Sequence, residues 1–229
     1  MQRVSKKVIS ILVCAVFLLT AVSPTLAAVL PTVAAGTTVY SNEKAKVDAS
    51  NAKDGYVMVA YNGAAKSRLK VRVTGPSGTV YTYDLNKNGN YEVFPLSDGN
   101  GKYTVGVYEN TSGNKYALAF STPVTVMLTN DFAPFLRPNQ YVNYSADSQA
   151  VKKAAELTKG KKNDLEKITA IYDFTVKTLT YDKKKAQTVQ SGYLPNVDQV
   201  LASKTRICFD YAALMTAMLR SQGIPTKLV

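Results

Sequence analysis

Histidine and tryptophan are both absent from this 229-residue chain, and cysteine occurs only twice. Without imidazole the chain has no side chain of the type that most often moves protons near neutral pH. The usual zinc ligand sets go with it. Two cysteines exclude a disulfide framework, and the lack of tryptophan removes the commonest landmark of an all-β core. Acidic residues are also scarce, 16 against 28 lysines and arginines, for a formal charge of +12. Such a balance favours anionic partners, whether nucleic acid, an acidic wall polymer or a lipid surface. The lysines are nevertheless spread along the chain, as on a solvated basic face. No aromatic–basic interleaving points to a specific nucleic acid, and no phosphate-cradling loop is present.

Arg3, Lys6 and Lys7 precede an apolar run from Val8 to Leu19, and Pro24-Thr25-Leu26-Ala27-Ala28 offers small residues for cleavage. This is the pattern of a secretory signal peptide over residues 1–27, too short for a comfortable membrane span. It predicts a secreted product, extracellular or cell-wall associated, with no membrane span once the signal is removed. Removal takes three positive charges and no negative one, leaving +9. Cys14 lies within the apolar run and leaves with it, so Cys208 becomes the only cysteine. A lone thiol in an exported protein is a reactive group, half of an intermolecular bond, or an inert buried hydrophobe.

Residues 28–36 read as a short loose leader. From 37 to 130 the texture is β: Tyr56-Val57-Met58-Val59-Ala60-Tyr61 is an apolar run, and Leu69-Lys70-Val71-Arg72-Val73 alternates as a half-buried strand does. Further strands are expected at 79–83, 91–94, 103–108, 116–120 and 123–128, separated by Gly-, Asn- and Pro-rich turns. Several short strands rich in tyrosine and β-branched residues argue an immunoglobulin-like sandwich, its core resting on Tyr, Phe, Val and Leu.

Residues 131–147, with Pro134 and Pro138, read as a linker. After it the period becomes helical. Ser148 is placed to cap a helix to about Thr158, with Val151, Ala154, Ala155 and Leu157 inward. Asn163 and Glu166 form a capping box for a second helix whose inward residues are Leu165, Ile168, Ile171, Tyr172, Thr175 and Leu179. Residues 183–205 look loop-like, with one short helical turn around Val197, Val200 and Leu201. A third helix is expected from about Cys208 to Gln222, stopped by Gly223 at C′ and by Pro225. Its buried stripe is read as Tyr211, Leu214, Met215, Met218 and Leu219. No internal repeat and no low-complexity tract is present.

Cys208 opens that third helix. A thiol at a helix N-terminus stands at the positive end of the macrodipole, an arrangement that favours a nucleophilic anion. Two stretches carry a family likeness: Ile168-Thr169-Ala170-Ile171-Tyr172-Asp173-Phe174-Thr175-Val176 with Leu179-Thr180-Tyr181, and Ile207-Cys208-Phe209-Asp210-Tyr211-Ala212-Ala213-Leu214 with Met218-Leu219-Arg220-Ser221 and Gly223-Ile224-Pro225. Over residues 148–229 the chain resembles the transglutaminase-like superfamily. The resemblance implies an α+β protein in which the sandwich precedes the helical N-terminal half of a transglutaminase-like (papain-like cysteine) domain.

It further implies that Cys208 is the nucleophile. The thiol would attack a glutamine or peptide amide of a protein or peptide substrate, form a thioester, and pass the acyl group to a lysine amine or to water. The logic is that of a Cys-His-Asp triad. No cofactor or metal is called for. The family's His and Asp would lie on strands after Gly-Ile-Pro, beyond Val229, so the chain is read as C-terminally truncated and inactive as it stands. Arg206 occupies a position where the family commonly has glycine, and an arginine there could crowd the cleft. Asp210 is read as a first-turn capping carboxylate, Tyr211 as core, and Arg220 as a partner of the helix dipole. Three functions remain: a cysteine acyltransferase or amide hydrolase, a non-catalytic cell-wall or surface-polymer module using the sandwich, and a charge-driven polyanion binder.

Overall fold

The computed structural model describes residues 29–64 and 67–229, and the expected signal peptide lies outside the described residues. The chain is mixed α+β, with sheets in its N-terminal part and helices in its C-terminal part. Strands β1 (Val39–Ser41), β2 (Ala45–Asp48), β3 (Tyr56–Tyr61) and β6 (Glu92–Pro95) form one sheet in the order β1-β2-β3-β6. Strands β4 (Leu69–Thr74), β5 (Val80–Leu85), β7 (Gly101–Ser112) and β8 (Lys115–Val126) form the other, ordered β5-β4-β7-β8. Every pairing in both is antiparallel.

The two sheets share one core. Val47, Val57, Val59 and Phe94 from the first pack with Leu69, Val71, Val73, Tyr103, Val105 and Val107 from the second. Alternation decides which face of β4 turns inward: Leu69, Val71 and Val73 are buried, whereas Lys70 and Arg72 are not. Residues 115–126 make one long strand with a bulge, where two runs are expected from sequence. Pro123 is tolerated because β8 is a sheet edge, where a missing N–H breaks no ladder. Strands β1 and β2, of three and four residues, are too short to leave a periodic pattern in the sequence. Near the start of β7 the Tyr103 hydroxyl donates to the Gly99 carbonyl (2.8 Å) and accepts from the Asp98 N–H (2.8 Å). Residues 29–36 have no regular structure but are tied down, the Val33 N–H donating to the Tyr56 hydroxyl (3.1 Å).

The helical part comprises α1 (Gln149–Thr158), α2 (Asp164–Thr178), α3 (Lys183–Thr188), α4 (Val197–Ser203) and α5 (Cys208–Ser221). Helices α1, α2 and α4 all pack on α5. Asn163 caps α2 by accepting from the Glu166 N–H (2.9 Å), while the Glu166 carboxylate reaches back to the Lys162 N–H (2.9 Å). Helix α3 falls where a loop is expected, started by Asp182, whose carboxylate accepts from the Lys185 N–H (2.8 Å). Helix α5 ends in a Schellman motif: Ile224 N–H bonds to Leu219 O (3.1 Å), Gly223 N–H bonds to Arg220 O (3.0 Å), and Gly223 adopts φ +77°.

Two inward stripes differ from expectation. On α2 only Ile171 and Thr175 are buried, while Leu165 and Tyr172 are exposed. On α5, Leu214, Met218 and Leu219 are buried as expected, with Asp210, Ala213 and Ala217 beside them, while Tyr211 and Met215 are only partly covered. The reason is angular. Cys208, Tyr211, Ala212 and Met215 share one face of the first two turns, which α2 stands across from without closing over, whereas residues 216–221 are buried on every face.

Candidate functional site

The site begins at a short parallel bridge. Strand β9 (Thr180–Tyr181), directly after α2, pairs with β10 (Thr205–Arg206), directly before α5. This pins the end of one helix beside the start of the other. Cys208 is the first residue of α5 and its thiol is exposed. Along α5, Cys208, Tyr211, Ala212 and Met215 form one wall of a groove of about 370 Å³. Tyr172, Thr175 and Val176 of α2 form the other, and Tyr181 of β9 closes an end. The lining is almost wholly apolar. Tyr211 and Met215, expected in the core, are therefore groove residues.

The N-terminus of α5 is held by an unusual cap. Ile207 is the N-cap residue and has no acceptor in its side chain. Asp210, at N3, supplies the missing group: its carboxylate accepts from the Ile207 N–H (3.1 Å). Asp210 is fully buried. It also accepts from Lys185 Nζ (2.8 Å) and from the Tyr193 hydroxyl (2.5 Å), and Lys185 Nζ donates to that same hydroxyl (2.7 Å). Burial by itself would raise the Asp210 pKa, but the hydrogen bonds from Lys185, Tyr193 and Ile207 outweigh it, and the carboxyl is held below its ordinary value. For Lys185 burial acts downward, yet its bonds to Asp210 and Tyr193 leave the ammonium above its ordinary value. Asp210 is thus the expected capping carboxylate, with two further partners that sequence did not reveal.

Arg206 does not enter the groove. Its guanidinium turns to the Gln199 carbonyl of α4. Arg220 is more than a partner of the helix dipole. It is buried, and its guanidinium donates to the Thr226 carbonyl from Nε (2.9 Å) and Nη2 (2.7 Å) and to the Arg137 carbonyl from Nη1 (2.6 Å). Burial lowers its pKa to about 10, so it stays charged at neutral pH. On the other side of α5, Phe209 borders a second cleft of about 380 Å³ that it shares with Lys70, Asp84, Gln140, Tyr141 and Tyr193. Among the described residues no three His, Cys, Asp or Glu side chains gather as a metal site. None of the described helices is long and apolar enough to cross a membrane.

Residues 151–229, from α1 through Cys208 to the last residue, match the family model of the transglutaminase-like superfamily. In this helical segment, about a third of the chain, the sequence is similar to that superfamily. Comparison with curated proteins gave no match. Among solved structures the chain is similar to a candidate protease from Parabacteroides distasonis, at 17% identity over 79% of this chain and 55% of that one, with a TM-score of 0.30. It is also similar to a β-1,2-glucanase from the same organism, at 8% identity over 56% of this chain and 23% of that one, with a TM-score of 0.27. The chain thus spans about half of the first structure's length and under a quarter of the second's. Both TM-scores are too low to bear on fold or function. Within the matched segment, Lys185 and Tyr193 are the residues sequence reasoning missed. The Asp182 cap three residues before Lys185 was the one legible signal.

Proposed function

We propose that this is a secreted protein of cysteine acyl-transfer or amide-hydrolysis type, with Cys208 as the nucleophile and a protein or peptide amide as substrate. One observation carries the reading. The exposed thiol heads a largely buried helix and opens on a groove inside the segment that matches the transglutaminase-like model. The chemistry is attack of sulfur on the carbonyl carbon, loss of ammonia or amine, and a thioester left on Cys208. A base must take the thiol proton and return it to the leaving nitrogen. The chain has no histidine to do so, and turnover by the chain alone is not expected. The sheet orders and the Tyr103 hydroxyl's bond back to Gly99 support an immunoglobulin-like sandwich. Export rests on residues 1–27 and is checked by N-terminal sequencing of the secreted product.

The test uses an activated ester, whose leaving group needs no acid. With p-nitrophenyl acetate, one acetyl adduct should map to the Cys208 peptide and form faster than on N-acetylcysteine at the same pH. Cys208→Ala should lack it. No preference for Cys208 over the free thiol sinks the nucleophile assignment. Glutamine-to-amine transfer above the Cys208→Ala background sinks the expectation of no turnover. The self-contained core of the two sheets supports a second reading, a non-catalytic wall- or surface-polymer module. Binding of the 37–130 segment to wall material, unchanged on deleting 148–229, would support that alternative.

A further inference from the structure

Both chain neighbours of Cys208 are held, one through a carboxylate of α5 that is itself anchored from outside the helix, the other by rings outside it. Ile207 is held through its N–H by the Asp210 carboxylate, which is itself held by Lys185 and Tyr193. Phe209 packs edge-on against Tyr141 (ring centroids 5.6 Å apart) and Tyr193 (6.4 Å). Each of these holders leads back to the β-sandwich. Tyr141 contacts Tyr83 (5.2 Å), which contacts the fully buried Phe94 at the centre of the sandwich core (5.2 Å). Tyr193 lies on the loop between α3 and α4, and that loop is seated on the second sheet. Arg68 donates to Asp84 (3.0 and 3.1 Å) and to the Ser191 hydroxyl (3.1 Å), and Lys70 pairs with the same Asp84 (2.7 Å). Gly192, at φ +89°, brings the loop backbone so close that a Cβ there would stand 3.1 Å from the Asp84 carboxylate.

We propose that the β-sandwich is a positioning platform for the nucleophile: Asp84, with Arg68 and Ser191, braces the 189–195 loop, and Tyr193 with Lys185 and Asp210 passes that restraint to the N-terminus of α5. None of these residues lines the groove beside the thiol. They are positioning residues that act by keeping the first turn of α5 formed. The dipole and the aligned N–H groups act on a thiol only while that turn is intact. The inference rests on the nucleophile reading of Cys208, and it distinguishes this protein from one whose sandwich is an independent binding module.

The experiment is alkylation of the full chain by iodoacetamide, followed at the Cys208 peptide by mass spectrometry across pH 6–10, with thermal unfolding as a fold control. Asp84→Ala and Tyr193→Phe should each lower the rate constant at least threefold at every pH in that range. Because both act through one brace, the double variant should be no slower than the slower single one, whereas independent effects would multiply. Ser191→Thr keeps the hydroxyl and should match the wild type, whereas Ser191→Ala should fall between wild type and Asp84→Ala. If Asp84→Ala fails to fold, Arg68→Gln at an exposed position replaces it. Folded variants with rates and profiles within twofold of wild type, or multiplicative effects, overturn the proposal. Failure of the nucleophile reading is seen separately, as a missing preference for Cys208 in acylation by the activated ester.

Discussion

Lys185→Met removes the cation paired, among the described residues, with the fully buried carboxylate of Asp210, and keeps the length and most of the volume of the side chain. Asp210 would retain the Tyr193 hydroxyl and the Ile207 N–H. Breaking a buried pair costs about 3–5 kcal/mol, and the two remaining donors put this case at the lower end, about 3 kcal/mol at pH 7. For a chain of this size that lowers Tm by about 6–12 °C. The pH dependence gives the sharper test. In the wild type the Asp210 carboxyl sits below its ordinary value of 3.8, so its stabilisation is complete above that value and fades as pH falls through the lower folded one. Lys185 sits above its ordinary 10.5, and its contribution fades only as pH rises through the higher folded value. In the variant, loss of the two lowering contributions of Lys185 raises the Asp210 carboxyl relative to the wild type. Acid then neutralises a misplaced charge and restores stability. The gap between wild type and variant should therefore be widest near pH 7 and narrow towards pH 4. Calorimetry at both pH values reads it directly. A Tm within about 2 °C of wild type at pH 7, or a gap that does not shrink in acid, refutes the reasoning.

Three further outcomes follow from buried contacts. Arg220→Met strands two part-buried carbonyls, Thr226 and Arg137, and should cost about 1–3 kcal/mol by denaturant unfolding. Arg220→Lys should recover little of it, because one ammonium cannot reproduce a planar fork that serves both acceptors. Tyr103→Phe leaves the Asp98 N–H and Gly99 carbonyl without their partner, and should lower the urea midpoint by the equivalent of about 1–2 kcal/mol with the m-value unchanged. Gly55→Ala combines φ +85° with a Cβ only 2.5 Å from the Pro134 nitrogen, so it should destabilise by at least about 2 kcal/mol, whereas Gly78→Ala (φ +87°, open space) should cost only the backbone term of about 1 kcal/mol. Equal midpoints for these two alanine variants would show that Pro134 moves aside.

Features that depend on neighbouring residues were readable before any folding was considered. The bounds of α5, its Gly223 stop, the Asn163 cap and the strand at residues 56–61 all rest on capping, φ preference or short-range periodicity. The position of Cys208 at a helix start is of the same kind, as is the alternation that turns Leu69, Val71 and Val73 inward.

Other features hinge on what lies across space. A helical pattern gives several candidate faces on α5, and only the packing of α1, α2 and α4 leaves Tyr211 and Met215 beside the thiol and not in the core. The Lys185–Tyr193–Asp210 cluster joins residues 17 and 25 positions apart, the Arg220 clamp spans 83 positions to Arg137, and Arg68 reaches Ser191 across 123. Contacts at such separations leave no period in the chain. A polar side chain looks solvated in sequence until tertiary packing strips its water and obliges it to find a partner.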